Sequence, residues 1–168
     1  IHPFSHADEE RYVRAGEEFV TVDVDGLRCS LFVCYDLRFA DEFWALARGS
    51  DAYFVVANWP AKRRSHWSAL LRARAIENQI WLVAAAQFGR HAGGRQTWGD
   101  SMIVDPWGRV RDRLRQGTGI VLAEADLAWH LMRERIWKYC YCYPRTGFSL
   151  NYYNFSLPEV LGHSVVLY

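Results

Sequence analysis

Stretches of apolar residues along the first third of the chain predict two strands followed by a helix. Residues 19–25 alternate apolar and polar side chains, and residues 28–34 follow, after a glycine turn, as a more continuously apolar stretch. The first is typical of a half-buried strand and the second of a central strand. Beyond Asp36, apolar residues recur at helical spacing up to Gly49, a common helix stop. Cys34 is therefore expected where a central strand ends, just before a helix.

The middle of the chain repeats this alternation of strand and helix. Residues 52–57 form another apolar stretch, and a helical pattern then runs over residues 65–79. Arg74 and Asn78 lie on the apolar face of that helix, so each needs a polar partner. Residues 80–87 read as a third apolar strand. This order of elements predicts an α/β fold.

The last part of the chain predicts shorter elements. Residues 91–95 are rich in glycine and predict an exposed loop, and residues 101–114 predict a hairpin about the turn Pro-Trp-Gly. Residues 119–124 predict a further strand, and residues 127–135 a short helix. Residues 137–168 crowd aromatic residues among Pro, Gly, Ser and Asn without periodicity. That tail is interpreted either as an extended arm or as a poorly ordered extension.

Composition narrows the class of protein. With 168 residues, of which 51% are hydrophobic, the chain can bury one core, and a single domain over residues 1–136 is expected. A net charge of +1 gives no field of one sign to attract nucleic acid or an anionic membrane. No uninterrupted apolar run approaches the ~20 residues that span a bilayer. The four cysteines are not spaced like a secreted disulfide framework, so a cytoplasmic protein with a small-molecule partner is expected.

Three polar or reactive residues follow the three apolar strands. Cys34, Asn58 and Gln87 each come at the end of a strand, and the carboxyl ends of neighbouring parallel strands meet at one edge of a sheet. A cysteine that enters a helix also lies near amide dipoles that favour its thiolate. From the residues alone Cys34 is either such a nucleophile or a small buried hydrophobe.

Sequence motifs around these positions favour the nucleophile. The segment Val-Cys-Tyr-Asp-Leu-Arg-Phe at residues 33–39 closely resembles the cysteine signature of the nitrilase, or carbon–nitrogen hydrolase, superfamily. The chain is most similar to its bacterial ω-amidase-like branch, and the resemblance covers roughly residues 1–135. Four further segments match in order, namely residues 57–60 with 66–67, residues 72–79, residues 99–101 and residues 105–108.

The resemblance implies a fold and a reaction. The fold would be an α-β-β-α sandwich, here lacking its N-terminal portion, and the catalytic group a Glu-Lys-Cys triad. Cys34 would attack a small aliphatic amide, such as a dicarboxylate monoamide, and form a thioester. The lysine of relatives comes just before a segment like residues 1–4, and the base glutamate further upstream. The resemblance also implies a homodimer or higher homo-oligomer, and no metal ion or cofactor is expected.

Two further catalytic positions are predicted close to Cys34. A supporting glutamate precedes a Tyr-x-x-x-Gly stretch in relatives, and either Glu9 or Glu10 matches it here. Both are also consistent with a solvated run of charge. The backbone N–H of Tyr35, directly after the nucleophile, is expected to donate to the oxyanion of the tetrahedral intermediate.

Three residues are predicted to bind substrate. Asn58 and Trp59 follow a strand at the sheet edge and either line the pocket or simply form a turn. Arg38 is expected in an ion pair near the site. Asp36 is interpreted as a structural helix N-cap.

Other functions are weaker matches. Cys140 and Cys142 lack the paired spacing of a zinc site, and a papain-like dyad of Cys34 with His66 or His91 does not agree with the surrounding motif. The rival hypothesis is an inactive remnant or interaction module that retains the fold. Because the implied lysine and base are absent, the chain alone is expected to have little amidase activity and to associate.

Overall fold

The computed structural model describes residues 2–4 and 9–125. One six-stranded sheet has the strand order β1-β2-β3-β4-β7-β8, and β5 pairs with β6 in a separate hairpin. The strands are β1 (Val20–Val24), β2 (Leu27–Val33), β3 (Ala52–Ala57), β4 (Trp81–Ala86), β5 (Phe88–Arg90), β6 (Gln96–Trp98), β7 (Ser101–Val104) and β8 (Val110–Leu114). The α-helices are α1 (Ala40–Leu46) and α2 (Arg64–Asn78).

The centre of the large sheet is parallel. β2 pairs with β3, and β3 with β4, in parallel, whereas β1, β7 and β8 pair antiparallel at the two sides. The carboxyl ends of the three central strands therefore lie at one edge of the sheet. Cys34, Asn58 and Gln87 directly follow those three ends, as predicted.

The two helices cover one face of this sheet. The Phe43 ring of α1 stacks on Phe32 of β2 with centroids 3.7 Å apart, and the Tyr53 hydroxyl donates to the Phe43 carbonyl at 2.6 Å. Val33 and Val56, on the opposite face, are 59% and 52% exposed. Strands that are apolar on both faces are typical of a sheet covered on both sides. The described residues thus form one helix layer on one sheet, which confirms the predicted α/β class.

The polar residues on the buried face of α2 have partners for most of their polar atoms, although Asn78 Oδ1 has none among the described residues. Arg74 donates from Nε to the Leu37 carbonyl at 3.2 Å and forms an ion pair with Glu77 at 2.6 Å. Asn78 Nδ2 donates to the Arg74 carbonyl at 2.9 Å. Because Leu37 belongs to the turn after Cys34, Arg74 also fixes that turn against α2.

One prediction for the later elements is confirmed and another is wrong. Residues 91–95 form a largely exposed loop, which connects the two strands of the β5–β6 hairpin. No strand occurs over residues 119–124, where the Leu122 N–H donates to the Asp112 carboxylate at 2.7 Å instead of to a backbone ladder. The predicted helix and tail beyond residue 125 lie outside the described residues. Neither α1 nor α2, nor any other helix within residues 2–4 and 9–125, is long and apolar enough to cross a membrane.

Candidate active site

Cys34 lies directly after β2, as the first residue of a short 3-10 turn, Cys34–Arg38. Its φ is 45°, a left-handed conformation that L-residues other than asparagine and aspartate rarely adopt. Such strain, of order 1–3 kcal/mol, tends to occur at functional sites. The chain is extended again at Phe39 before α1 begins, so the turn and the helix are separate elements.

The surroundings of the thiol favour its neutral form. Burial raises the pKa of the Cys34 thiol above its usual value, and the negative charges of Glu9 and Asp36 raise it further. A hydrogen bond from the Asn58 backbone N–H and the charge of Arg38 lower it, but do not prevail. The predicted helix-stabilised thiolate is therefore wrong, because a five-residue 3-10 turn supplies little helix dipole. A nucleophilic Cys34 needs a base to remove its proton.

Glu9 is one of two carboxylates, with Asp36, whose charges act on the Cys34 thiol. It begins the 3-10 turn Glu9–Arg11, and its Oε2 accepts the Phe4 backbone N–H at 2.8 Å. Its negative charge acts on the Cys34 thiol. Glu9 therefore has contacts that agree with a supporting carboxylate, whereas the Glu10 side chain lies outside what the structure describes, so the choice between the two and the catalytic role remain predictions.

The Tyr35 ring packs against two other aromatic rings. Its centroid lies 4.9 Å from that of Phe4 and 5.3 Å from that of Phe39. These contacts hold the residue whose backbone N–H is predicted to bind the oxyanion.

Asn58 and Arg38 form the rim of the site, because the Asn58 N–H and the Arg38 charge both act on the Cys34 thiol. Trp59 directly follows Asn58. Trp59 is only 2% exposed, and its Nε1 donates to the Arg63 carbonyl at 2.8 Å, so its ring lies beneath the rim. The Arg38 guanidinium lies 5.1 Å from the centroid of the Trp59 ring, and its Nη2 is 3.2 Å from His66 Nδ1. Within the described residues no carboxylate lies within 4 Å of Arg38. The predicted ion pair is thus replaced by a cation–π contact, and substrate contact by these residues remains a prediction.

A polar cluster at the turn Cys34–Arg38 was not predicted. Asp36 accepts the Val33 N–H with Oδ2 and the His2 N–H with Oδ1, both at 2.9 Å. It is the third residue of the turn and not its N-cap. His2 Nδ1 lies 3.3 Å from Asp36 Oδ1 and 3.2 Å from Glu42 Oε1. One imidazole nitrogen and one oxygen of each carboxylate all lie within 4.8 Å of one another. No local sequence signal pairs His2 with Glu42, because they are far apart along the chain.

Comparison with known proteins identifies the family. The profile of the carbon–nitrogen hydrolase family matches residues 1–129. The chain belongs to the carbon–nitrogen hydrolase family. The prediction from the cysteine motif is confirmed, and the family extends over every described element of the fold.

One curated relative and two solved structures show how far the similarity reaches. This carbon–nitrogen hydrolase is 40% identical over 129 residues to the 2-oxoglutaramate amidase of Bacillus subtilis, which covers 75% of this chain and 49% of the relative. A CN-hydrolase superfamily protein from Xanthomonas campestris, solved with an arsenic adduct in its active site, matches with a TM-score of 0.74 and 30% identity over 89% of this chain and 58% of that one.

A second structure is informative about the cysteine. A variant of the amidase from Nesterenkonia sp. AN1, with the acetamide moiety of fluoroacetamide added covalently to its active-site cysteine, matches with a TM-score of 0.63 and 30% identity. The match covers 72% of this chain and 46% of that one. The chain spans about half the length, or less, of the curated relatives it matches. The described sheet and helix layer are thus part of the nitrilase-type fold predicted from the motifs.

The two carboxyl groups around His2 are expected to have opposite effects on stability as pH changes. Burial raises the pKa of Glu42, whereas the pKa of Asp36 is lowered because the N–H groups of His2 and Val33 outweigh its burial. A glutamate whose pKa is raised in the folded state stabilises the protein at pH values below its pKa in the unfolded chain, ~4.3, and this stabilisation is lost as pH rises. A lowered pKa stabilises above the unfolded value of ~3.9, and this is lost as pH falls.

Glu42→Gln should therefore gain stability relative to the wild type as pH rises above about 4, whereas Asp36→Asn should lose stability relative to the wild type as pH rises toward about 4 from below. The measurement is the free energy of unfolding in urea at intervals on both sides of about pH 4. Parallel pH dependences for the two variants would contradict the opposite assignment.

Proposed function

We propose that this carbon–nitrogen hydrolase cleaves a small aliphatic amide with Cys34 as its nucleophile. The Cys34 sulfur adds to the amide carbon, the C–N bond breaks, and the nitrogen leaves as ammonia after receiving a proton. Water then hydrolyses the thioester to a carboxylic acid and restores the thiol. The observation that carries the proposal is the left-handed Cys34 at the carboxyl end of a central strand, within hydrogen-bonding reach of the Asn58 N–H.

The neighbouring residues have separate roles in this proposal. The Tyr35 backbone N–H stabilises the developing oxyanion, as preorganised donors do in acyl transfer. Glu9 accepts the Phe4 N–H, and its charge acts on the Cys34 thiol, so we assign it the role of the supporting carboxylate. The thiol must lose its proton to a base before or during attack. Asn58 and Trp59 hold the rim in place.

Arg38 supports a substrate with a free carboxylate. Its guanidinium is half-buried over Trp59 at the rim and has no carboxylate partner among the described residues. A guanidinium binds a planar carboxylate with two parallel hydrogen bonds. The similarity to a 2-oxoglutaramate amidase supports the same class, a monoamide of a dicarboxylic acid. A homo-oligomer in the cytoplasm, as the sequence predicts, completes the proposal.

Trapping of the covalent intermediate tests the proposal. The protein, made from its complete coding sequence, is mixed with excess succinamate, quenched in acid, and cleaved after arginine for mass spectrometry. The peptide of residues 29–38 contains both Cys29 and Cys34, so fragment ions distinguish the reactive sulfur from an internal control. A succinyl adduct is expected on Cys34 only. An adduct on Cys29, or neither adduct nor ammonia release, would instead support the rival inactive remnant.

A further inference from the structure

The His2 imidazole is held by residues that follow the nucleophile. Its ring stacks on Phe39 with centroids 3.6 Å apart and the planes inclined by 8°. Its Nδ1 lies between Asp36 Oδ1 and Glu42 Oε1, at 3.3 and 3.2 Å. Asp36 and Glu42 are 4% and 9% exposed, so these contacts are made largely out of water. The stack and the two acceptors together determine one orientation of the ring.

Asp36 connects this imidazole to the nucleophile. Its Oδ1 accepts the His2 N–H, and its Oδ2 accepts the N–H of Val33, the residue before Cys34. One carboxylate therefore ties residues 2–4 to the backbone that enters the left-handed Cys34. The contacts among His2, Asp36 and Glu42 are hydrogen bonds and charge, and they explain the proximity of the three groups without an ion.

The other end of residues 2–4 reaches the supporting carboxylate. The Phe4 N–H donates to Glu9 Oε2 at 2.8 Å, and the Phe4 ring packs on Tyr35. The Arg63 guanidinium lies 5.6 Å from the centroid of the same ring. Residues 2–4 thus extend from Asp36 at one end to Glu9 at the other, beside the nucleophile turn.

We propose that His2 is a positioning residue, which docks residues 2–4 on Asp36 and Glu42 and thereby holds the Glu9 carboxylate at a fixed position relative to Cys34. The proposal rests on the proposed role of Cys34 as nucleophile. Without the imidazole, Asp36 keeps the backbone N–H groups of His2 and Val33, but Glu42 Oε1 loses its contact with Nδ1. Glu42 Oε2 already has no hydrogen-bond partner among the described residues. A buried carboxylate without a donor beside a second carboxylate is costly, so the segment shifts relative to the turn.

Two substitutions of His2 test this in the protein made from its complete coding sequence. His2→Ala removes the donor, and His2→Asn keeps an amide donor near the position of Nδ1. With succinamate as substrate, His2→Ala is expected to lower kcat roughly 10- to 100-fold with little change in KM, as small misplacements of reacting groups do. His2→Asn is expected to recover most of that loss.

Alkylation of Cys34 by iodoacetamide gives a second readout that needs no turnover. Glu9, Asp36 and Arg38 are the charges that act on the thiol, and the Glu9 charge raises its pKa. Displacement of Glu9 in His2→Ala should therefore shift the pH profile of Cys34 alkylation to lower pH. A loss of stability alone would not move this profile in the folded protein.

His91→Ala is the matched control, because His91 bonds to Thr97 in the β5–β6 hairpin at 2.6 Å and touches neither carboxylate. It should keep wild-type kcat and alkylation.

Wild-type kcat and an unshifted alkylation profile in His2→Ala would overturn the proposal. If His2→Ala does not fold, Glu42→Leu, which removes one of the two acceptors that orient the imidazole, decides with the same two readouts. Succinamate turnover that survives Cys34→Ala would refute the proposed function, while the alkylation profile would still report on His2.

Discussion

Cys34→Ala is expected to abolish amide hydrolysis, with kcat lower by at least about a thousandfold. The sulfur is the atom proposed to bond to the substrate, and no other described nucleophile follows a central strand at this edge of the sheet. Glu9, Tyr35 and Asn58 would still surround the substrate, so binding should persist while chemistry stops. The measurement is ammonia release from succinamate by the protein made from its complete coding sequence.

Cys29→Ala, in the strand that precedes Cys34, is the matched control. Cys29 is 2% exposed, and its Sγ lies 3.5 Å from the Leu27 carbonyl, so it is a core residue. Its replacement should cost about 1 kcal/mol of stability and leave kcat close to the wild type. Equal loss of activity in the two variants would show that Cys34 acts through the fold and not as the nucleophile.

The core of the fold follows from the sequence because its signals are local. β2, β3 and β4 are largely apolar runs that end at polar or reactive residues, and α2 carries an apolar face. Their order is enough to predict parallel pairing, since parallel strands require a crossover between them. That pairing in turn places Cys34 and Asn58 at one edge, which is why these site residues could be predicted.

Elements that depend on a partner were harder to predict. The β5–β6 hairpin is three residues on each side and is joined to the body by a bridge between Pro60 and Thr97. Residues 119–124 have a strand-like pattern but form no backbone ladder, although Leu122 contacts the Asp112 side chain of β8. A pattern of alternating residues shows that a segment can form a strand and does not show that a partner is present.

The polar chemistry of the site was only partly predictable for the same reason. Helical spacing after Asp36 was correct for α1, but it could not show that Phe39 is extended, with φ −102° and ψ 95°, and separates the turn from the helix. That break removes the helix dipole on which the predicted thiolate depended. The cluster of His2, Asp36 and Glu42 joins residues that are distant in sequence, so only the folded chain brings it together.

A buried ion pair next to α2 should contribute strongly to stability. Asp100 is 1% exposed and accepts from both Nε and Nη2 of Arg113. Its carbonyl accepts the Trp67 Nε1–H at 2.9 Å, so it also holds the long helix. The Asp100 carboxylate raises the pKa of Arg113 above its usual value, as expected for a charge-assisted pair.

Arg113→Met is therefore expected to lower the free energy of unfolding by about 3 kcal/mol, because it leaves the Asp100 carboxylate buried without its partner. Arg111→Met is the control two residues away in β8, since the Arg111 side chain is 48% exposed and lies 3.7 Å from Asp105. A long pair with one exposed partner contributes at most about 1 kcal/mol, and Asp105 keeps the N–H donors of Trp107 and Arg109 when Arg111 is replaced. Urea unfolding of both variants, and of Arg113→Met combined with Asp100→Asn, provides the measurement. The combined variant should recover part of the loss, because the cost arises from the unpaired charge; additive losses would show that the pair itself is not the cause.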